Sequence, residues 1–343
     1  MQSHSLISRR EFGKRVAWAS MGVAVCRARA QTKVETGKAS PVLVALVKTT
    51  ERAAGLKTAL ELLGAASFEG QDVYLKGSFN SADPFPATTH LETLRHVSLY
   101  LKRGRCGRII LVERSGMGPT REIWEELGVP AVAKELGVML IALEETEDWR
   151  REEVPASHWS RGIEVPNFLN RETRVVQVAN LKTHRFGGQF SSSLKNSIGL
   201  IAKHSHSGDP HNYMEELHAS PNQRLMVAEV NHVYNPALVV VDAMQVFVDG
   251  GPEAGEVASP GVFFASRDRI AIDAAGVALL RHLGVRLSRG PVFELEQIKR
   301  ASELNLGAKS GDEIKFLTSD SESATLAATL KSIVSQELEV KKG

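Results

Sequence analysis

Short, unbroken apolar runs alternate along this chain with stretches in which apolar residues recur every three or four positions. The runs at 42–47, 108–112, 138–143, 174–179 and 237–241 are rich in aliphatic side chains and hold few polar ones. A strand of that kind keeps both faces out of water, as in a parallel sheet with helices packed on each side. Shorter strands are expected at 72–76 and 262–265. Helical spacing marks 56–63, 88–104, 121–127, 193–202 and 270–283, and Gly64, Gly104 and Gly284 stand at the ends of three of these, where glycine commonly stops a helix. Asp268 precedes the last of them and is placed to accept its first free N–H groups, so its replacement by Ala is expected to cost about 1 kcal/mol. A strand near 313–317 and a solvated helix at 324–338 close the chain. This alternation predicts an α/β fold, a mostly parallel sheet with helices on both faces, in one lobe or two.

The first thirty residues break the rhythm. Ser8-Arg9-Arg10-Glu11-Phe12-Gly13-Lys14 is followed by a mildly apolar stretch at 16–25 and then by Ala28-Arg29-Ala30. A basic region, a short apolar region and an A-x-A cleavage site are the three parts of an export signal, and the arginine pair has the S-R-R-x-F-x-K form of the twin-arginine (Tat) pattern. The expected organisation is therefore a signal peptide at 1–30, a linker at 31–40, an α/β domain at 41–311 and a C-terminal strand and helix at 312–343. The Tat export machinery becomes an expected partner. The mature chain is expected to be exported across the bacterial inner membrane, periplasmic or secreted, with no transmembrane span because no apolar run is long enough.

Removing that segment takes away six basic residues and one acidic residue, so the formal net charge of +2 becomes −3. The apparent basicity belongs to the signal, and no electrostatic case for a nucleic-acid partner survives it. Of two cysteines only Cys106 remains in the mature chain, too few for a disulfide or a four-cysteine metal site. No intrinsic iron–sulfur cluster is expected; other cofactors stay open.

Ligands of open parallel sheets gather beyond the carboxyl ends of the strands. The polar residues in those places are Lys76 and Asn80, Thr88 to His90, Glu113-Arg114-Ser115-Gly116, the run from Asn180 to Gly199, Asp242, and the loop with Gly250 and Gly251. Lys182 and His184 are two apart and share one face of an extended chain. Glycines and serines then lead into a helix whose free N–H groups would favour an anion, with Lys195 and Asn196 in its first turn. Either these lysines hold a phosphate or carboxylate, or they pair with acidic neighbours and fix the loop. Asp242 either coordinates a cation, orients a lysine or caps the next turn. His204, His206 and His211 are candidate metal ligands, the alternative being a solvated histidine-rich loop.

Three ordered motifs carry a resemblance. Lys182-Thr183-His184 with Leu194-Lys195-Asn196-Ser197-Ile198-Gly199, then Asp242 with Gly250-Gly251-Pro252-Glu253-Ala254-Gly255, then Asp268-Arg269-Ile270-Ala271-Ile272-Asp273 together resemble the domain of unknown function 362 family, over about residues 41–311. The resemblance implies no established activity. Many such proteins carry ferredoxin-like cysteine clusters, and this chain has no C-x-x-C. The residues themselves point to a Lys/His/Asp-lined cleft for a small anionic ligand. It belongs either to an enzyme with Lys182 holding the anion and His184 as general acid or base, or to a module that binds a ligand or cofactor for a partner protein.

Overall fold

The apolar runs become the middle of one large sheet. A computed structural model describes residues 40–336 apart from 65, 66 and 188, so the expected signal peptide and nearly all of the linker lie outside the described residues. The strands are β1 (Val42–Lys48), β2 (Val73–Lys76), β3 (Ile109–Glu113), β4 (Met139–Ala142), β5 (Trp149–Glu152), β6 (Ile163–Pro166), β7 (Val175–His184), β8 (Gln189–Ser191), β9 (Pro236–Gly250), β10 (Gly255–Ala258), β11 (Val262–Ser266) and β12 (Ile314–Leu317). The large sheet runs β12-β1-β11-β9-β7-β2-β3-β4, with β8 and β10 attached to β7 and β9, while β5 and β6 form a separate hairpin. Only β11 runs antiparallel to its neighbours along that path. The architecture is α/β, mixed but mostly parallel.

Alternate residues of each central strand face opposite layers, as the pleat requires. Val44, Leu46, Ala179, Leu181, Val239 and Val241 pack with the helix Arg269–His282, while Ala45, Val47, Val176, Val178, Leu238 and Val240 pack with the helices Arg52–Leu62 and Leu91–Arg103. A third apolar cluster joins Ile110, Val112 and Val175 to Tyr213, Met226 and Tyr234. The described residues all fall in one compact unit, and a division into two lobes finds no support there.

The C-terminal segment is part of this unit. β12 pairs in parallel with β1, Val42 opposite Ile314. The helix Ser321–Val334, expected to be solvated, buries Ala327, Leu330 and Val334 in the core.

Asp268 caps its helix as expected, accepting from Ile270 N and Ala271 N at 2.8 Å each. Its second oxygen also accepts from Ala308 N at 2.8 Å, which ties in a turn forty residues away. Removing the carboxylate strands a third donor as well as two helix N–H groups. Asp268→Ala is therefore expected to cost about 2 kcal/mol rather than the 1 kcal/mol of a simple cap. Urea denaturation measures this, and ligand binding should not change.

Candidate functional site

The strand order reverses at β2. From there the chain moves outward through β3 and β4, and on the other side of β2 it returns through β7 and β9. Such a reversal opens a crevice beyond the carboxyl ends of the strands. A cavity of about 490 Å³ lies there, and β2, β3 and β7 all contribute to its wall through Lys76, Glu113, Asn180, Lys182 and His184. That volume is in the ordinary range for a small-molecule site.

One side of the wall is neutralised internally. The Lys76 ammonium is 1% exposed and lies 2.7 Å from the Glu113 carboxylate. It also donates to Gly77 O at 2.7 Å and to Asn196 Oδ1 at 3.2 Å. Glu113 in turn accepts from Phe79 N at 2.9 Å and Arg114 N at 3.1 Å. Burial pushes the Lys76 pKa down and the Glu113 charge opposes it. Gly199 is the glycine of the L-K-N-x-x-G motif, and a Cβ there would overlap the Glu113 carboxylate. The motif thus closes on a buried ion pair. Arg114, taken by burial to about 10, donates to Ile198 O at 2.6 Å and Ile201 O at 3.0 Å and so fixes the same turn.

The other side is not neutralised. Lys182 and His184 project from the same face of β7, and Lys195 joins them from the following helix. Lys182 donates to Ala87 O. Among the described residues neither Lys182 nor Lys195 forms an ion pair, and Lys195 has no hydrogen-bond partner. Burial, reinforced by the charge of Lys195 and opposed by the more distant Asp83, takes Lys182 to about 7. Burial and the Arg114 charge bring Lys195 to about 8. His184 falls to about 2, through burial first and then the positive charge of Lys195 and Lys182. Its imidazole is neutral near pH 7, and its buried Nδ1 has no partner. Two lysines without an ion pair, Lys182 buried and Lys195 partly so, and an imidazole Nδ1 without a partner carry an electrostatic cost that an anion would offset.

Several expected contributors stand elsewhere. The helix meant to offer free N–H groups to an anion is only Ser193–Asn196, continued by a 3₁₀ turn. Its first two donors are already taken, because Asp273 accepts from Ser193 N at 2.7 Å and Leu194 N at 3.1 Å. Burial raises that carboxyl to about 7. Asp242 does not line the cavity: it is fully buried and binds Arg52, Thr93 Oγ1 at 2.5 Å and Met244 N at 3.1 Å. Burial raises its pKa and Arg52 opposes the rise. The alternative that came closest was a local turn contact, although its main partner is 190 residues away.

Gly250 and Gly251 do not reach the cavity either. Gly251 has φ +64° and sits so close to Thr183 O that a Cβ would overlap it, while its own carbonyl accepts from Arg185 Nη1 at 3.1 Å. Both glycines shape a turn that brings Pro252 to the cavity wall. Asn80 lies at the rim, its Oδ1 accepting from Gly116 N at 3.0 Å. Thr89 and His90 serve the scaffold, the latter capping its helix through Glu92 N at 3.1 Å. The candidate metal ligands are dispersed: His206 stacks on Trp149 at 4.7 Å, His211 Nε2 lies 2.9 Å from Glu216, and His204 forms a backbone bridge with Asn212. Among the described residues no group of three or more His, Cys, Asp or Glu side chains is placed to hold a metal ion.

The apolar part of the wall was not read from the sequence. It comes from Phe79, Ile198 and Pro252, from Met117 and Phe186 at the rim, and from Met214 on the helix Tyr213–Ala219. That helix is short and its periodicity weak, but a signal existed. Asn212 accepts from Met214 N and Glu215 N, and an Asn followed three positions later by Glu is a helix-start pattern.

Residues 73–278 match the model of the family described as Domain of unknown function (DUF362), and the chain belongs to that family. The match is narrower than the expected 41–311, beginning at β2 and ending inside the helix Arg269–His282. No curated protein matches the chain. Among the described residues no helix is long and apolar enough to cross a membrane.

Proposed function

We propose that the cavity binds a small anionic ligand through Lys182 and Lys195, with the neutral His184 as its hydrogen-bonding partner. The observation that carries this reading is the pair of lysines, Lys182 buried and Lys195 partly so, that line one cavity without an ion pair to either among the described residues. A bound anion offsets both charges, raises all three depressed pKa values and satisfies the free nitrogen of His184. With its pKa restored toward the ordinary range, His184 then serves as general acid or base toward the ligand. A second reading uses the same lysines and keeps the cavity-lining His184, whose buried Nδ1 has no partner, as a hydrogen-bonding group only. Here the ligand is held for a partner protein without proton transfer. Saturable thermal stabilisation by an inorganic anion tests the binding step common to both.

We propose separately, from the twin-arginine pattern, that the mature protein is exported across the inner membrane by way of Arg9 and Arg10. The guanidinium fork is not reproduced by an ammonium group. Arg9→Lys with Arg10→Lys is expected to leave the uncleaved chain in the cytoplasm, as fractionation and immunoblotting would register. Normal export and cleavage after Ala30 would remove the assignment.

A further inference from the structure

The cavity wall has two chemically different parts, and an inorganic ion would use only one of them. Lys182, Lys195 and His184 supply the charged and hydrogen-bonding part. Ile198, Met214, Pro252, Met117 and Phe186 supply the other; Met214 Sδ accepts from Arg114 Nη2 at 3.3 Å and Phe186 lies edge-on to His184, and the rest of their surface is apolar. Met117 and Phe186 are 55% and 48% exposed, two of the four large apolar side chains left open to solvent among the described residues. Both lie on the rim of this cavity. Large apolar side chains converging on one concavity mark a surface that a ligand covers. Methionine adds an adaptable wall that accepts apolar groups of varied shape.

We infer that the ligand is an amphiphilic organic acid, its anionic head at Lys182 and Lys195 and its apolar body along Met214 and Ile198 toward Met117 and Phe186. This rests on the anion-binding reading of the same cavity and adds the nature of the body. A hydrated ion such as phosphate fills only a fraction of about 490 Å³ and leaves the apolar wall wet. A body that displaces this water gains affinity with every methylene it buries.

Calorimetric titration of the full chain with butyrate, hexanoate and octanoate, at one ionic strength and below pH 7, tests this. Each added pair of methylenes is expected to tighten binding about 15-fold, the equivalent of about 0.8 kcal/mol per methylene. In Met117→Ser with Phe186→Ser the step should shrink. Both positions are exposed, so the fold should tolerate the change. Equal dissociation constants along the series overturn the inference, and so does a full step retained in the double variant. If inorganic phosphate still binds saturably in that case, the anion site stands and only the amphiphilic body is lost. If no anion binds at all, both readings fall.

Discussion

Replacing Lys182 and Lys195 together by Ala is expected to abolish the anion-specific rise in melting temperature while leaving a folded protein. In the wild type, sulfate at about one hundred times its dissociation constant should add about 2.7 kcal/mol of stability by linkage, a rise of several degrees for a chain of this size. Sulfate also stabilises proteins generally by exclusion from their surface. The specific part is the saturable part, and it is the part the double variant should lose. His204→Ala with His206→Ala should keep it, since His206 is spent on Trp149 and neither residue lines the cavity.

The pH dependence has a defined sign. Lys182 and Lys195 in the folded protein lie at about 7 and about 8, below the ordinary lysine value. Below pH 7 both are charged in folded and unfolded chains alike, and the folded state bears the full cost of burying them. Between these values and the ordinary lysine range the unfolded chain binds more protons, so the contribution of this pair to stability improves as pH rises. Anion binding runs the other way, because it needs the charged forms. Stabilisation by sulfate, whose own charge is constant, should be largest below pH 7 and fade as pH climbs through 7 and 8 and beyond. His184 lies at about 2; if a bound anion raises that value toward the ordinary imidazole range, its own step falls at the acid edge of this window and has the same sign, strengthening binding as pH falls. Melting curves in sulfate and chloride across this range measure the effect. A sulfate effect that grows with pH, or that survives in the lysine variant, would place the anion elsewhere.

Glu113→Ala should be the most damaging single change in the wall, costing about 3–5 kcal/mol because it leaves the Lys76 ammonium buried without its counter-charge. It also strips Phe79 N and Arg114 N of their acceptor. Lys76→Met should cost less. Glu113 then keeps both backbone donors, and the methionine fills much of the space of the lysine stem. Urea denaturation of the two variants decides the order. A Lys76→Met protein as unstable as Glu113→Ala would mean that the ammonium, and not the carboxylate, organises this wall.

How much of this was legible in the chain depends on the range of the interaction. Val42 to Val47, Ile109 to Val112 and Val239 to Val241 announce a sheet buried on both faces, since an apolar run without alternation admits few other solutions. The cap at Asp268 was legible because its main acceptor and donors are two and three residues apart. The alternation of Lys182 and His184 on one face of β7 follows from the period of a strand. These are properties of near neighbours, and the chain by itself determines them.

The tertiary structure decided which charges are cancelled. Lys76 meets Glu113 37 residues on, Ser193 is capped by Asp273 80 residues on, and Asp242 takes Arg52 from 190 residues back. Before folding, Lys76, Lys182 and Lys195 are equivalent candidates for an anion, and Asp242 and Asp273 look alike. The strand order puts β3 beside β2 and so occupies the first lysine, and it seats Asp273 on the N–H groups that an anion was expected to use. Lys182 and Lys195 are left facing the cavity with no carboxylate paired to them. Hydrophobic periodicity is set by contacts a few residues apart, whereas the pairing of buried charges depends on sheet order and packing, which no local spacing encodes.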